Sequence, residues 1–308
     1  MQQESEKPIR LALIGECMIE LRGPMFGALQ QSWGGDTYNT AIYLRRMLDH
    51  HFDVHYITGL GEDQLSHFLL HAWQEEGLNV GDVTLVSGKR PGLYQISVDE
   101  DGERSFQYWR NDSAAKYIFD EQSGDVLAAQ FQRFEWLYLS GISLAILTPL
   151  GRRNLLDALA LYAGNGGRIV FDNNYRPLLW PSVDVCQAAY REVLSLAHLA
   201  LLTADDEQVL WGHNSVEEIL AHYDCEEVVI KRGSEPCVIR HQQRLVEVGA
   251  QRVENVVDTT AAGDSFAAGY WFGRLTGLSP EESARCGHRL AATVIQHPGA
   301  IIPKSFMP

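Results

Sequence analysis

Short continuous apolar runs alternate with segments of helical spacing along almost the whole chain, and this alternation limits the fold more than any other feature. The runs lie at 9–14, 54–58, 136–139, 168–171, 200–202 and 228–230, and the helical segments at 39–48, 64–76, 151–162, 185–197 and 216–222. A strand that is apolar on both sides must be covered on both faces. Strands of that kind, separated by amphipathic helices, form a mostly parallel sheet between two helical layers. The expected class is α/β. A chain of 308 residues has ample length for a core, burying roughly 75% of its unfolded surface.

One stretch departs from the pattern. Residues 93–99 and 104–110 alternate apolar and polar side chains around a turn signal at 100–103, which reads as an antiparallel hairpin. By the two-residue period Phe106, Tyr108 and Arg110 share one face of the second arm, and Tyr94, Ile96 and Val98 one face of the first. A polar-aromatic hairpin face suits a lid over a ligand; a surface hairpin with solvated rings is the alternative.

Charge narrows the function. Lys and Arg total 25 against 40 Asp and Glu, a net −15, so a nucleic-acid partner is not expected, because such binding neutralises phosphates with cations. An anionic ligand must be held by local Arg side chains or backbone amides. Cys17, Cys186, Cys225, Cys237 and Cys286 form no C-x-x-C pair, which argues against a disulfide framework or zinc ribbon. The opening MQQESEKPIR is polar, and the longest uncharged stretch, 137–150, is too short to span a bilayer and reads as a buried strand plus turn. A reduced, cytoplasmic protein with no membrane partner is expected.

The most informative segment is VDTTAAGDSFAAGY, residues 257–270. Small residues at 259–263 leave the backbone bare, and helical spacing begins at Asp264. A bare loop feeding a helix aims several amides and about half a positive charge at one spot, a phosphate site that needs no basic side chain. Asp264 itself has two readings, a helix N-cap or a carboxylate that takes a proton from an alcohol while the amides stabilise a migrating phosphoryl group. A hydrolase turn around Ser265 is disfavoured, because Gly-x-Ser-x-Gly fails at Ala267.

DTTAAGDSFAAG at 258–269 resembles the carboxyl-terminal signature of the ribokinase-like (phosphofructokinase B) carbohydrate kinases. GGDTYNTA at 34–41 is similar to the amino-terminal signature, and TGLGED at 58–63 to the family's G-x-x-G-x-D turn. The resemblance covers essentially the whole chain. It implies a three-layer α/β/α domain over 1–308, with a mostly parallel central sheet and a small β-sheet lid from inserts at about 16–36 and 88–115. It implies Asp264 as catalytic base, with Ala261, Ala262 and Gly263 completing an anion hole, and Gly34, Gly35, Asp36 and Asn39 as sugar-binding residues.

Three further segments, GECMIEL at 15–21, PGLY at 91–94 with YWRN at 108–111, and DNNYRPLLW at 172–180, resemble those family members that phosphorylate 2-keto-3-deoxygluconate at C6 with ATP. A sugar acid needs a cation at its carboxylate, and Arg makes forked bonds there; Arg110 and Arg176 are the candidates, with Tyr94 and Tyr108 offering hydroxyls and ring area. By the same resemblance Arg176 and Asn174 lie alternatively along the phosphate path.

The nucleotide side is implied by Lys231, Arg232, Gly233 and Ser234, which match a K-x-G segment near ATP, together with Thr259. Asp258 and Thr260 are implied carbonyl ligands of a monovalent cation such as K⁺, and 288–299 is expected to border the adenine or that cation. Mg²⁺ is expected with ATP. Here the family's N-x-x-E element is replaced by LTADDE at 202–207, leaving open whether Asp206 or Glu207 takes the acidic position. The resemblance also implies a dimer or larger, paired through the lid sheet, with Trp33 and Trp109 either contacts there or part of the core. Rival functions are a neutral-sugar or nucleoside kinase and a non-catalytic sugar-acid sensor. His67 and His71, His50, His51 and His55 read as surface or packed histidines, and Arg45-Arg46 as a solvated face.

Overall fold

The computed structural model describes residues 7–24, 26–98 and 104–308. Its central sheet places eight strands in the order Arg244–Val248, Cys237–His241, Glu227–Lys231, Leu199–Thr203, Arg168–Asp172, Trp136–Ser140, Ile9–Ile14 and Phe52–Ile57. From Glu227–Lys231 onward the neighbours are parallel; the first two strands form an antiparallel edge. The strands follow the apolar runs: Ile9–Ile14 coincides with its run, Phe52–Ile57 starts two residues before its run and stops one residue short, and the other four each gain a polar residue at the carboxyl end.

Alternate side chains supply two separate cores, as the period of two demands. Leu11, Leu13, Val54, Tyr56, Val170, Leu201 and Val229 pack into one; Ala12, Ile14, Leu137, Leu139, Ile169, Phe171 and Ile230 pack into the other. Fully burying one such side chain contributes about 1.5–3 kcal/mol. Helices Asp36–Met47, Gln64–Glu75, Ala262–Leu275 and Pro280–Val294 contribute to the first core, and Gly124–Phe131, Pro149–Gly164 and Val183–Leu194 to the second. The last two helices of the chain approach so closely at Gly269 that a Cβ there would lie 2.8 Å from the Cys286 carbonyl oxygen.

Parallel register is what assembles the functional edge. Ser140 pairs with Asp172 and Thr203 with Lys231, so four strand ends bring polar residues to one rim of the sheet. In open α/β sheets ligand loops occupy this carboxyl edge.

A second sheet is ordered Gln30–Gly34, Met18–Arg22, Leu93–Val98, Arg104–Trp109. Ile19, Leu21, Trp33 and Leu93 face the first core and seat this sheet on the body. The hairpin arms pair antiparallel, with Tyr94 opposite Tyr108 and Ile96 opposite Phe106. The turn expected at 100–103 lies outside the described residues.

Two local expectations need correction. Arg45-Arg46 is not a solvated face: Arg46 makes a forked pair with Glu76 at 2.9 and 2.8 Å and donates to Ile302 O, while Arg45 donates to Leu48 O and Phe52 O. Orphan carbonyls at the helix end and near the chain end draw these guanidinia inward. The stretch 137–150 is a strand ending at Ser140 followed by the short helix Gly141–Ala145, not a turn; Ser140 caps that helix with Ser143 in a reciprocal pair.

Candidate active site

The helix Ala262–Leu275 begins at an N-cap, Ala261, held in the left-handed region (φ 62°) without any side-chain cap. A non-glycine residue there is strained, and such strain concentrates at functional sites. Ala262 N–H turns back to Thr259 O at 3.2 Å and Ser265 N–H closes onto Ala261 O, so the amides of Gly263 and Asp264 occupy the open helix end. A Cβ placed on Gly263 would meet only the Lys231 ammonium, 3.9 Å away.

Asp264 is therefore not the N-cap. It lies in the first helical turn, and its Oδ2 accepts from Asn39 Nδ2 at 2.8 Å, while its carbonyl accepts from Thr40 Oγ1 at 3.3 Å. Burial, and next the negative charge of Asp36, push its carboxyl up to about 7, against the lowering effect of the Asn39 bond. A carboxylate poised there is matched to a proton acceptor at neutral pH. Ser265 is fully buried and its hydroxyl donates to Ala261 O at 2.7 Å, so it has no nucleophile's geometry.

Around this base the glycine pair opens the helix Asp36–Met47. Gly35 N–H points at Asn39 Oδ1 at 3.4 Å, and a Cβ on Gly34 would sit 3.4 Å from both Asn39 Oδ1 and the Tyr94 hydroxyl. Tyr94 thus reaches down from the second sheet, donating to buried Glu20, with Tyr108 stacked on it at 5.9 Å. Asp36 Oδ2 accepts from Asn174 Nδ2 at 2.7 Å and from Ser140 Oγ. Asn174 is itself in the left-handed region (φ 26°).

On the opposite flank Lys231 Nζ grips both oxygens of Asp172 at 2.9 and 2.7 Å. Asp206 accepts from Tyr175 N–H at 3.1 Å and faces Arg176 at 3.6 Å; burial pushes its carboxyl up. Glu207, by contrast, turns inward with no exposure. Of the two acidic residues, only Asp206 keeps part of its surface exposed. Asp264, Asp36, Asp172 and Asp206 make this rim acidic, but among the described residues no three of them bring ligand atoms close enough together to form a ready-made metal site.

Other candidates are placed less directly. Arg110 is buried beside Glu16, donating to its carboxylate, while Arg110 Nε and Glu16 Oε1 have no partner among the described residues. Arg176 is half exposed and bends back to Tyr175 O. Arg232 turns away, donating to Pro236 O and facing Glu235 and Glu247; Gly233 (φ 60°) and exposed Ser234 form the turn beyond it. The Asp258 carboxylate is occupied by Thr260 N–H and Oγ1, Gly299 N–H and Arg22 of the second sheet. Thr259 is exposed beside it, and Ile295 O accepts from Val257 and Asp258 N–H, joining 288–299 to the loop. His288 Nε2 donates to Val248 O and the ring packs on Phe266.

Sequence reasoning passed over Glu16, Glu20, Arg22, Ser140, Asp172 and Asn173. Four of these sit inside motifs already quoted, 15–21 and 172–180, where their polarity within otherwise apolar surroundings was the available signal.

A carboxyl raised to about 7 in the first helical turn, open helix-end amides and a nearby lysine are parts that a carbohydrate kinase uses. The chain belongs to the pfkB family of carbohydrate kinases, whose profile matches residues 9–306. It is 47% identical over 306 residues to the 2-dehydro-3-deoxygluconokinase of Dickeya dadantii, covering 97% of this chain and 98% of that one. It is 46% identical to the enzyme of the same name from Escherichia coli K12, covering 97% and 99%. A solved E. coli ribokinase-type structure in complex with ATP and Mg²⁺ shares the fold, with a TM-score of 0.81 at 19% identity over 95% of this chain and 94% of that one. Among the described residues no helix is long and apolar enough to cross a membrane.

Proposed function

We infer that the chain is a 2-dehydro-3-deoxygluconokinase, carrying the terminal phosphoryl group of ATP to the C6 hydroxyl of 2-keto-3-deoxygluconate to give the 6-phosphate and ADP. The single observation that carries this reading is Asp264, hydrogen-bonded by Asn39 beside the open end of a helix and raised to about 7, in a chain nearly half identical to enzymes of that name.

In this reading Asp264 takes the C6 proton as the hydroxyl attacks, and the Gly263 and Asp264 amides, with Ala261 and Ala262 shaping the loop, hold the charge that develops on the phosphoryl oxygens. Gly34, Gly35, Asp36 and Asn39 seat the sugar. Arg110, oriented by Glu16, meets the substrate carboxylate through its remaining donors, and Tyr94 and Tyr108 cover the ring. Lys231, with Gly233 and Ser234, lines the nucleotide side; Asn174 and Arg176 flank the phosphate path. Asp206 would face the Mg²⁺ carried with ATP, which would supply charge neutralisation that an acidic site otherwise lacks. A monovalent cation would use the carbonyls of Asp258 and Thr260, because the Asp258 carboxylate is already committed. A cytoplasmic enzyme assembled as a dimer or larger completes the reading.

An ADP-release assay over a panel of 2-keto-3-deoxy sugar acids and neutral sugars tests it. Turnover confined to the sugar acids is expected. Preference for fructose, ribose or a nucleoside, or binding without ADP release, would overturn it.

A further inference from the structure

Glu207 has no exposed surface and sits one position from Asp206, yet it faces the interior. Its carboxylate accepts from Asn173 Nδ2 at 3.0 Å and Tyr223 OH at 2.7 Å, with His213 Nδ1 at 3.3 Å. Burying a carboxylate is costly unless donors surround it, and an apolar residue would fill the same space.

The donor that leads to the site is Asn173. It is 1% exposed and is bonded at every polar atom: N–H to Leu201 O, carbonyl from Tyr190 OH, Oδ1 from the N–H groups of Asn174 and Thr203, and Nδ2 to Glu207. The carboxamide therefore ties two adjacent strand ends together. Its Oδ1 holds Asn174 N–H at 2.8 Å just where Asn174 adopts its left-handed turn, and Asn174 Nδ2 in turn holds Asp36 at 2.7 Å. An unbroken line of hydrogen bonds thus runs from Glu207 through Asn173 and Asn174 to the first residue of the helix that carries Asn39.

We propose that Glu207 is a positioning residue for phosphoryl transfer, fixing through Asn173 and Asn174 the place of the Asp36 carboxylate on the sugar side of the cleft. This rests on the kinase reading above and names a device within it. An ionised carboxylate only accepts hydrogen bonds, so Asp36 reads substrate hydroxyls, and a shift of about 1 Å there weakens sugar binding more than nucleotide binding.

The test is a kinetic cycle on the full-length enzyme with Glu207→Met, Asn173→Ala, their double variant and Glu207→Gln. Wild-type turnover of the sugar acid in the same assay tests the kinase reading by itself. Glu207→Met and Asn173→Ala are each expected to raise KM for the sugar acid roughly tenfold, with KM for ATP within about twofold. The double variant is expected to be no worse than the poorer single one, because both cut one line. Gln keeps an acceptor for Asn173 and is expected to stay within about threefold of wild type. Glu227, buried at the far end of the sheet with Tyr270 and Arg274, supplies the control: Glu227→Met is expected to lower Tm without separating the two KM values. Unchanged KM for the sugar acid, equal movement of both KM values, or additive effects would overturn the proposal. If Glu207→Met does not fold, Asn173→Ala against Glu207→Gln decides it by the same criteria.

Discussion

Asn39 Nδ2 donates to Asp264 Oδ2 at 2.8 Å, joining residues 225 positions apart. One lies in the first turn of the glycine-opened helix near the amino terminus; the other lies in the first turn of the helix that follows the anion loop. The bond does two things. It aims the carboxylate, and it opposes the burial and the Asp36 charge that favour the protonated form.

Removing that carboxylate is the first prediction. Asp264→Asn is expected to lower kcat by about 10²–10⁴, with the Kd for ATP within a few-fold, as measured by titration calorimetry. It is also expected to stabilise the fold at pH 8. The folded carboxyl binds its proton up to about 7, whereas the unfolded group releases it near the ordinary carboxylate value. The folded state thus holds more protons between those values, and stability falls as pH rises through that window. Asn escapes the loss, so a Tm at pH 8 no higher than wild type would contradict this account.

Activity should follow the same proton with the opposite sign. kcat/KM is expected to rise with pH along an acid limb whose midpoint lies near 7, since the ionised base is the active form. Asp36→Asn removes a negative neighbour and moves the limb to lower pH; Lys231→Met removes a positive one and moves it to higher pH. Initial rates over pH 5–9 at limiting sugar acid read both shifts. A limb that stays fixed in both variants would take Asp264 out of the titration.

The architecture was legible because its signals are local. Apolar runs such as 9–14 and 168–171 need cover on both faces, and glycines at 34, 35 and 263 mark bare backbone. What stayed hidden was pairing over distance. Nothing adjacent in sequence says that Lys231 will grip Asp172 or that Arg22 will reach Asp258. Those partners are set by the register of parallel strands and by how the second sheet folds back. The choice between Asp206 and Glu207 has the same origin, since neighbouring helical positions point about 100° apart and only the packed sheet decides which faces inward.

Arg110 and Glu16 make a buried pair whose two roles can be separated. Arg110→Ala leaves the Glu16 carboxylate buried without its partner, a loss of roughly 3–5 kcal/mol. Arg110→Ala combined with Glu16→Gln is expected to recover most of that stability. It should not recover affinity for the sugar acid, because the cation that meets the substrate carboxylate is still missing. Thermal melts and KM for a sugar acid beside a neutral sugar distinguish the two effects. If the double variant regains normal KM for the sugar acid, Arg110 has no part in carboxylate recognition.

The second sheet is expected to close as a cover over the sugar. Arg22 holds it to the anion loop through Asp258 at 3.1 Å, and Tyr94 is buried beneath Tyr108, which is 53% exposed. That leaves Tyr108 and stacked Phe106 facing solvent over the cleft until a sugar lies below them. Excluding water there protects the phosphoryl group from hydrolysis. Sugar acid with ADP is expected to slow hydrogen exchange in 93–98 and 104–109, while the central strands keep their rates. Tyr108→Ala should raise KM for the sugar acid several-fold and barely move Tm, because so much of its ring already lies in water. Exchange in both arms unaltered by saturating ligands, together with an unaltered KM in Tyr108→Ala, would leave the sheet as a fixed wall and not a closing one.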